Sequence, residues 1–307
     1  MSLLRAELRR LLARRAVVVL LVAGCLLATL VTCGVMWEGR PIGSGDLAYA
    51  QEQADRDLAA CEKHPRRYGG GQGFDCAEVI QLENYVYRQV LTPNGVLEGL
   101  LPTLTSLLAL VALLIGTTFV GAEWTSGSMS NLMLFEPRRG RVWLAKVLAV
   151  AVVVTAFVAL VLGTAVGGSL AAAVSWSDAA WDGARTWSAA YSTLRGITVV
   201  VAVALVGVTL TLALRSTIAT VGLAFGYALV GEAVLRAVAP ATVEPWLLSS
   251  HLAAFLLGKL RIYDYSSYSR RPDFTLLHLE TSALYLGVLL LVLMVASWLT
   301  FRRRDIT

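Results

Sequence analysis

Charged side chains are scarce in this chain of 307 residues, where Asp, Glu, Lys and Arg together make up 15%. Ordinary soluble domains contain roughly 25% charged residues. Hydrophobic residues make up 57% and the mean hydropathy is +0.67, which excludes a typical soluble globular protein and predicts an integral membrane protein. The net charge of +5 would elsewhere suggest a nucleic-acid partner, but in a membrane protein basic residues first indicate orientation. We therefore expect no nucleic-acid partner.

Nucleotide-binding and metalloprotease motifs are also absent. No G-x-x-x-x-G-K-[ST] segment occurs, and the glycines at 69–73 lack the Lys and the Ser or Thr that would hold phosphates. No H-E-x-x-H segment occurs, and His64, His251 and His278 have no metal-ligand spacing. We therefore predict that the chain is not an enzyme, has no catalytic residues or metal site, and binds no cofactor itself.

Six apolar stretches are long enough to cross a hydrocarbon core about 30 Å thick, which takes roughly 20 residues per helix. We predict spans at residues 16–36, 100–121, 144–174, 196–214, 216–239 and 281–300. The expected fold class is an all-α membrane protein with six transmembrane helices in one domain over residues 1–307. Gly163-x-x-x-Gly167 and Gly222-x-x-x-Gly226 are expected to let neighbouring helices approach closely.

Basic residues concentrate at the termini and in the short connections. They are Arg5, Arg9, Arg10, Arg14, Arg15, Arg138, Arg139, Arg141, Lys146, Arg215, Arg302, Arg303 and Arg304. With six spans all of these lie on one side, and the positive-inside rule assigns that side to the cytoplasm. We therefore expect both termini to be cytoplasmic in a multi-pass protein of a bacterial-type plasma membrane.

Residues 1–15 are predicted to form a basic amphipathic helix on the inner membrane surface, because Leu4, Leu8, Leu11 and Leu12 recur at helical spacing among the arginines. A lipoprotein signal peptide is the competing interpretation, on the basis of the segment ending at Cys25. The apolar run continues past that residue, whereas a cleaved apolar region of about 7 to 15 residues is followed by polar sequence. We therefore predict that the first span is retained.

Residues 37–97 are predicted to form an extracytoplasmic helical hairpin. Its first helix would run over 46–60, and its second would carry the three- and four-residue repeat of Val79, Leu82, Val86 and Val90. Cys61 and Cys76 flank the glycine-rich break between the two helices on the oxidising side of the membrane, so they are a candidate disulfide. Cys25 and Cys33 lie in the first span and are assigned no chemistry.

Residues 240–280 are predicted to form another extracytoplasmic loop. Leu248, Leu252, Phe255 and Leu256 share one helical face, but this apolar stretch is too short to span a membrane. It predicts a short interfacial or re-entrant helix.

Glu232 and Arg236 lie in the predicted fifth span at a spacing that allows an ion pair. Because ionisable residues inside a membrane are costly, the pair is either structural or a polar point on a substrate path. With Phe274-x-x-x-His278, the pair also resembles two motifs of the membrane-embedded CAAX-type prenyl proteases. In that family paired glutamates begin the first motif and another histidine follows the second. Here Gly231 replaces the first glutamate and no histidine follows His278, so this protease is the less favoured alternative.

The segment Gly121 to Arg141, GAEWTSGSMSNLMLFEPRRGR, continues to Lys146. It resembles the first cytoplasmic loop of ABC type-2 transporter permeases, in which a Glu after the second span is followed by Gly-Thr, a Leu-rich turn, Pro, Arg and a Lys entering the third span. Ser128 stands where Thr is usual. The ending Phe301 to Ile306 is also similar to that family's C-terminus, as are six spans with both termini inside.

The resemblance implies the permease subunit of an ATP-driven exporter, with a second permease copy or paralogue completing a dimer. ATP and Mg would bind a separate ATPase subunit, and membrane lipids would surround the chain. Drugs, antimicrobial peptides, lipids and polysaccharides are substrates of the family. An ion-coupled secondary transporter is another alternative, which internal inverted repeats would favour. A non-transporting membrane anchor or sensor is a further one. We see no persuasive repeat between the two halves of the sequence.

The resemblance also implies that residues 122–143 form the coupling loop that receives motion from the ATPase. Its candidate residues are Glu123, Gly127, Ser128, Pro137, Arg138, Arg139 and Arg141. The alternative for the three arginines is that they only set the topology.

Overall fold

The computed structural model describes residues 3–69, 74–86, 89–177, 181–239, 241–264 and 273–303. Residues 304–306 of the C-terminal motif, including Arg304, lie outside the described residues, as do three of the glycines in the predicted break at 69–73. Helices are numbered here in chain order. They are α1 (Leu3–Ala13), α2 (Arg15–Glu38), α3 (Ser44–Lys63), α4 (Pro93–Thr125), α5 (Ser128–Phe135), α6 (Arg139–Ser177), α7 (Gly183–Leu214), α8 (Thr217–Val238), α9 (Leu248–Leu257) and α10 (Leu279–Arg303).

Six helices among the described residues are long and apolar enough to cross a membrane: α2, α4, α6, α7, α8 and α10. The prediction of a multi-pass, all-α membrane protein is confirmed at this level. Most of the helices are longer than the predicted spans. The clearest case is α7, which begins at Gly183 because the Asp182 side chain accepts a hydrogen bond from the backbone N–H of Arg185 and caps the helix. Two spans contain π-helical turns, Val96–Leu100 in α4 and Gly226–Gly231 in α8.

Helix α4 lies at the centre of the bundle, where 67% of its most apolar stretch is buried. It packs closely on α7 through two glycines. A Cβ atom on Gly116 would lie 2.4 Å from the carbonyl oxygen of Ala204, and one on Gly207 would lie 2.7 Å from that of Leu113. Only residues without a side chain permit this approach.

The glycine pairs that the sequence singled out do not serve this purpose within the chain. A Cβ on Gly163, Gly167, Gly222 or Gly226 would meet nothing within 4 Å. The prediction of close approach at these positions is therefore wrong for the packing of one chain, because no neighbouring atom lies where a side chain would begin.

The segment between α2 and α4 contains helix α3 and a disulfide between Cys61 and Cys76, whose Cα atoms are 6.0 Å apart. Within the described residues 74–86 and 89–92, the predicted second helix of the hairpin does not form. These residues make two short helical turns, Cys76–Val79 and Leu82–Tyr85, because the first turn ends at Ile80 and Gln81 after it has extended backbone. The Tyr85 hydroxyl then donates to Asp57 Oδ2 at 2.7 Å and holds the second turn against α3.

The segment between α8 and α10 contains the short helix α9 at the position that the sequence predicted. A two-stranded sheet follows, in which β1 (Lys259–Asp264) pairs antiparallel with β2 (Asp273–His278). This short hairpin was not predicted within the otherwise helical fold. The alternation of polar and apolar residues from Lys259 to Ile262 is the strand signal that went unused. Short helical turns occur also at Pro65–Tyr68 and Ala241–Trp246.

Helix α1, the start of α6 and the end of α10 meet at one end of the bundle. Helix α1 packs on α6, and the Arg139 side chain donates from Nη1 to the carbonyl oxygen of Arg302 at 3.2 Å. We call this the basic end, formed by α1, residues 123–146 and residues 302–303. The N-terminal and C-terminal helices thus share one end of the bundle.

Candidate functional site

A buried cluster of opposite charges joins three helices at the basic end. Lys146 on α6 places its Nζ 2.9 Å from Oε2 of Glu7 on α1, and it also contacts Oε2 of Glu123 on α4. The Glu7 and Lys146 side chains are fully buried, and that of Glu123 is 4% exposed. Charges withdrawn from water are tolerated only when they are paired. The three helices are therefore held in one arrangement by groups that cannot separate without large cost.

Two arginines of the N-terminal segment extend the cluster toward solvent. Arg14 Nη2 lies 3.3 Å from Glu123 Oε1, and Arg10 Nη1 lies 3.1 Å from Glu7 Oε1. With Lys146, these five groups comprise two carboxylates and three cations. We call them the ion cluster, and it has one positive charge in excess.

The buried ring of Phe119 provides a further contact for the cations. It lies one helical turn before Glu123 on α4, with its centroid 5.2 Å from Lys146 Nζ and 5.4 Å from Arg14 Cζ. The negative face of an aromatic ring stabilises nearby cations. The ring therefore helps to hold positive charge inside the protein without adding another carboxylate.

Helix α1 packs the face that carries Glu7 and Leu11 against α6 and the rest of the bundle. Leu11 and Glu7 share a face at i, i+4 spacing and both are fully buried, whereas Leu12 is half exposed. Sequence reasoning missed Glu7. The available signal was that Glu7 is the single acidic residue among the first 15, placed on the same helical face as Leu4 and Leu11.

Helix α5 follows α4 after a sharp turn at Gly127, whose φ of +68° suits a residue without a side chain. Ser128 begins the helix, and its hydroxyl lies 3.0 Å from that of Ser126. Met129 and Leu132 are buried, which fixes one face of α5 against the bundle. Leu134 and Phe135 at the other end are 82% and 88% exposed. The helix therefore holds two large apolar side chains that the rest of the chain does not cover.

The predicted coupling residues lie in four different settings. Glu123 is buried in the ion cluster, while Gly127 and Ser128 form the turn that directs α5. Pro137, Arg138 and Arg141 are exposed after α5. Arg139 is partly buried and contacts the backbone at the end of α10.

The last turn of α4 is also attached to the other spans. Arg215, in the tight turn between α7 and α8, places its Cζ 4.8 Å from the ring centroid of Trp124. Trp124 packs edge-on against Phe301 of α10 at 6.5 Å. Close to this point, a Cβ on Gly121 would lie 1.7 Å from the Thr217 hydroxyl of α8. The helix that leads into α5 therefore contacts both of the last two spans.

At the opposite end of the bundle, the predicted pair Glu232 and Arg236 fastens α9 to α8. Glu232 Oε1 accepts a hydrogen bond from the backbone N–H of Ser249 at 3.0 Å, and Arg236 Nη2 donates to the hydroxyl of the same serine at 2.7 Å. Arg236 Nη2 lies 3.9 Å from Glu232 Oε2, and Arg236 Nε lies 3.9 Å from Glu244 Oε1. Glu232 thus supplies the cap that Leu247, at the start of α9, does not.

Arg195 on α7 holds the other end of α9, and sequence reasoning missed it. Its Nη1 donates to the carbonyl oxygen of Phe255 at 3.4 Å and its Nη2 to the Ser192 hydroxyl at 2.8 Å. A carboxylate at the N-terminus of a helix and a cation at its C-terminus both complement the helix dipole. The available signal was a lone arginine beside the predicted start of the fourth span.

His251 lies in the middle of α9 and packs against α10. Its ring stacks on Tyr285 with centroids 4.0 Å apart, and its Nδ1 forms a hydrogen bond of 3.2 Å with the Ser282 hydroxyl. Burial lowers the pKa of His251 below its ordinary value of 6.5. The imidazole is therefore neutral at pH 7.

The residues that resembled protease motifs have other partners here. Glu232 contacts Ser249 and Arg236, and His278 pairs with Lys259 across the two-stranded sheet. Among the described residues, no group of three His, Cys, Asp or Glu side chains is placed to hold a metal ion.

Comparison with known proteins identifies a family but no activity. Residues 81–307 match the family model described as a protein of unknown function, DUF2705. No curated protein matches the chain. Because the match covers most of the sequence, the chain belongs to the DUF2705 family.

Proposed function

We propose that this member of the DUF2705 family is the membrane-spanning permease subunit of an ATP-driven ABC exporter. Two copies, or one copy and a paralogue, form the substrate path in a bacterial-type plasma membrane with both termini in the cytoplasm. A separate ATPase subunit binds ATP and Mg and performs the hydrolysis. This chain performs no bond chemistry and receives motion through residues 122–143.

The observation that carries the proposal is helix α5 with its exposed Leu134 and Phe135. Large apolar side chains that the rest of the chain leaves uncovered at the end of an anchored helix are typical of a surface that binds another protein. The two residues lie within the segment whose sequence resembles the coupling loop of ABC type-2 permeases. We therefore assign their partner to the ATPase subunit.

The ion cluster makes α5 suitable for transmitting force. Helix α5 begins shortly after Glu123 of α4. Glu123 is paired with Lys146 of α6 and with Arg14, which directly precedes α2. A displacement of α5 therefore moves three helices together instead of bending a loop. The central helix α4 then passes the displacement to α7 through the close contact at Gly116 and Gly207.

Exposed basic residues beside α5 favour an acidic partner surface. Arg138 and Arg141 are both exposed within a few residues of Phe135. Oppositely charged surfaces increase the rate of association and fix the orientation of the two proteins. An apolar pocket with an acidic rim on the ATPase would therefore match this part of the chain.

The far end of the bundle supports a lid on the substrate path. Glu232 and Arg195 fasten α9 at its two ends, and the β1–β2 hairpin follows directly. In this proposal Glu232 and Arg236 hold the lid in place, and they reach the substrate only when α9 moves away.

Co-purification tests the proposal. The chain is solubilised in mild detergent from its native membrane, and the bound proteins are identified by mass spectrometry. The test variant is Leu134→Ser with Phe135→Ser. The control is Val238→Ser, because Val238 is also apolar, is 81% exposed and lies at the far end of α8. We expect the wild type and the control to retain an ATPase subunit, and the double variant to lose it.

Two results would overturn this assignment. If the folded wild type retains no ATPase, the exporter proposal fails and an ion-coupled transporter becomes the leading alternative. If the double variant retains as much ATPase as the control, the partner does not bind through α5. Glu123→Ala is less informative, because it removes a buried partner of Lys146 and destabilises the chain directly.

A further inference from the structure

A cavity of about 410 Å³ lies between α1 and α5, beside the ion cluster. Arg10, Ala13, Arg14 and Glu123 line one side, and Ser128, Asn131, Leu132 and Phe135 of α5 line the other. Apart from the Glu123 carboxylate, which pairs with Arg14, the polar groups of the lining are two guanidinium groups, a hydroxyl group and an amide group. These are the side chains that bind phosphate groups in proteins.

The excess positive charge of the ion cluster lies on the cavity side. Lys146 is fully buried between the two carboxylates, whereas the Arg10 and Arg14 side chains are 49% and 25% exposed. Each guanidinium has five N–H donors, and each of the two ion pairs engages one nitrogen. Both arginines line the same cavity, so their guanidinium groups lie close to one space. An anion between them would neutralise the cluster.

The position of the cavity along the bundle selects the source of that anion. Arg14 directly precedes α2, and Glu123 lies two residues before the end of α4, so the cavity lies where two spanning helices end. The phosphate groups of membrane lipids lie at this level, just outside the hydrocarbon core. Anionic lipids also attract basic residues that lie close to the membrane.

We propose that this cavity binds the phosphate of an anionic phospholipid with a hydroxyl-bearing headgroup, such as phosphatidylglycerol. Arg10 and Arg14 contact the phosphate, and Ser128 and Asn131 contact the headgroup hydroxyls. The site requires only that the chain spans a membrane, and it does not depend on an ATPase partner. A bound lipid of this kind would fix α1 against α5.

Binding of short-chain lipids to the purified full-length chain tests the proposal by native mass spectrometry in a neutral detergent. The probes are dioctanoyl phosphatidylglycerol, dioctanoyl phosphatidylcholine and inorganic phosphate. Arg10→Gln is the test variant and Arg9→Gln the matched control, because Arg9 is exposed on α1 but does not line the cavity. We expect phosphatidylglycerol to bind most tightly, with a loss of about tenfold in Arg10→Gln and less than about twofold in Arg9→Gln.

Three outcomes would overturn the proposal. If Arg9→Gln weakens phosphatidylglycerol binding as much as Arg10→Gln does, the lipid is attracted to basic residues in general. If phosphatidylcholine binds as tightly as phosphatidylglycerol, the site does not recognise the charge of the lipid. If inorganic phosphate binds as tightly as phosphatidylglycerol, the site binds free anions. If Arg10→Gln unfolds, Asn131→Leu replaces it, because Asn131 is exposed and belongs to no ion pair of the cluster. That variant is expected to weaken phosphatidylglycerol binding, and unchanged binding would count against the site.

Discussion

Glu7 and Lys146 are 139 residues apart in the chain, yet their fully buried side chains meet at 2.9 Å. The contact makes the N-terminal helix an integral part of the bundle. Its pairing with α6 also brings Glu123 and Arg14 together at the base of α5. The stability of the basic end therefore depends on groups that lie far apart in the sequence.

Glu7→Gln is expected to destabilise the chain by up to about 3 to 5 kcal/mol, because it leaves a buried cation with one partner fewer. Because Lys146 keeps its pairing with Glu123, we expect a loss of stability near the lower end of this range. The thermal unfolding midpoint in detergent measures it, with Arg5→Gln on the exposed side of α1 as the control. Equal midpoints for the two variants would show that the buried pair contributes nothing.

Gly116→Ala is expected to destabilise by at least about 1 to 3 kcal/mol, the usual cost of overpacking a core. The added Cβ would meet a backbone oxygen of α7 at 2.4 Å, and backbone cannot move as a side chain can. Gly163→Ala, in open space on α6, is the control and should leave the unfolding midpoint unchanged or raise it. The prediction fails if the two variants unfold at the same temperature.

Alkylation of the denatured but unreduced protein is expected to modify two cysteines, Cys25 and Cys33, and prior reduction should raise the number to four. Intact mass gives both counts. Cys61→Ser is expected to lower the stability of the segment between α2 and α4 by about 3 kcal/mol, the loop-closure contribution for a separation of 15 residues. Four modified thiols without reduction would contradict the pairing.

Glu232→Gln is expected to loosen the start of α9, because the amide is a weaker acceptor for the Ser249 N–H and does not complement the helix dipole. Amide hydrogen exchange over 248–257 should accelerate by about tenfold. Glu244→Gln is the control, since that carboxylate is 42% exposed and lies 3.9 Å from Arg236. Unchanged exchange in Glu232→Gln would show that α9 is held by its apolar contacts alone.

His251 is expected to make the packing of α9 on α10 sensitive to acid. Burial lowers the pKa of His251 in the folded state below 6.5, so the imidazole binds a proton more readily in the unfolded state. This contribution to stability is fully present above pH 6.5 and is lost as the pH falls from there toward the folded-state pKa. The unfolding midpoint of wild type relative to His251→Phe, measured from pH 7.5 to pH 5, should fall with pH. A constant difference would contradict the prediction.

The spanning helices were predictable from sequence because hydropathy over about 20 residues is a local property. Their ends were less predictable, since helices continue beyond the hydrocarbon wherever a cap such as Asp182 permits it. The alternation of polar and apolar residues in β1 was also a local signal, but it was too short to predict a strand within a chain expected to be helical. Sequence therefore predicted the existence of the spanning helices but not where each one ends.

The candidate site was predictable only in part. The resemblance drew attention to Glu123, and the count of basic residues to Lys146, but neither indicated that the two form an ion pair. Glu7 and Arg195 take their importance from partners 139 and 60 residues away. No periodic pattern records such contacts. The exposure of Phe135 likewise depends on how α5 leaves α4, which the packing of Met129 and Leu132 determines.

The burial of Lys146 gives the protein an internal chemical reporter. The sequence contains three lysines, and the other two, Lys63 and Lys259, are exposed. An amine-reactive reagent applied to the folded protein will label those two at once and will reach Lys146 only when α1 leaves α6. The rate at which the Lys146 amine is acylated therefore measures how often α1 separates from α6 at the basic end.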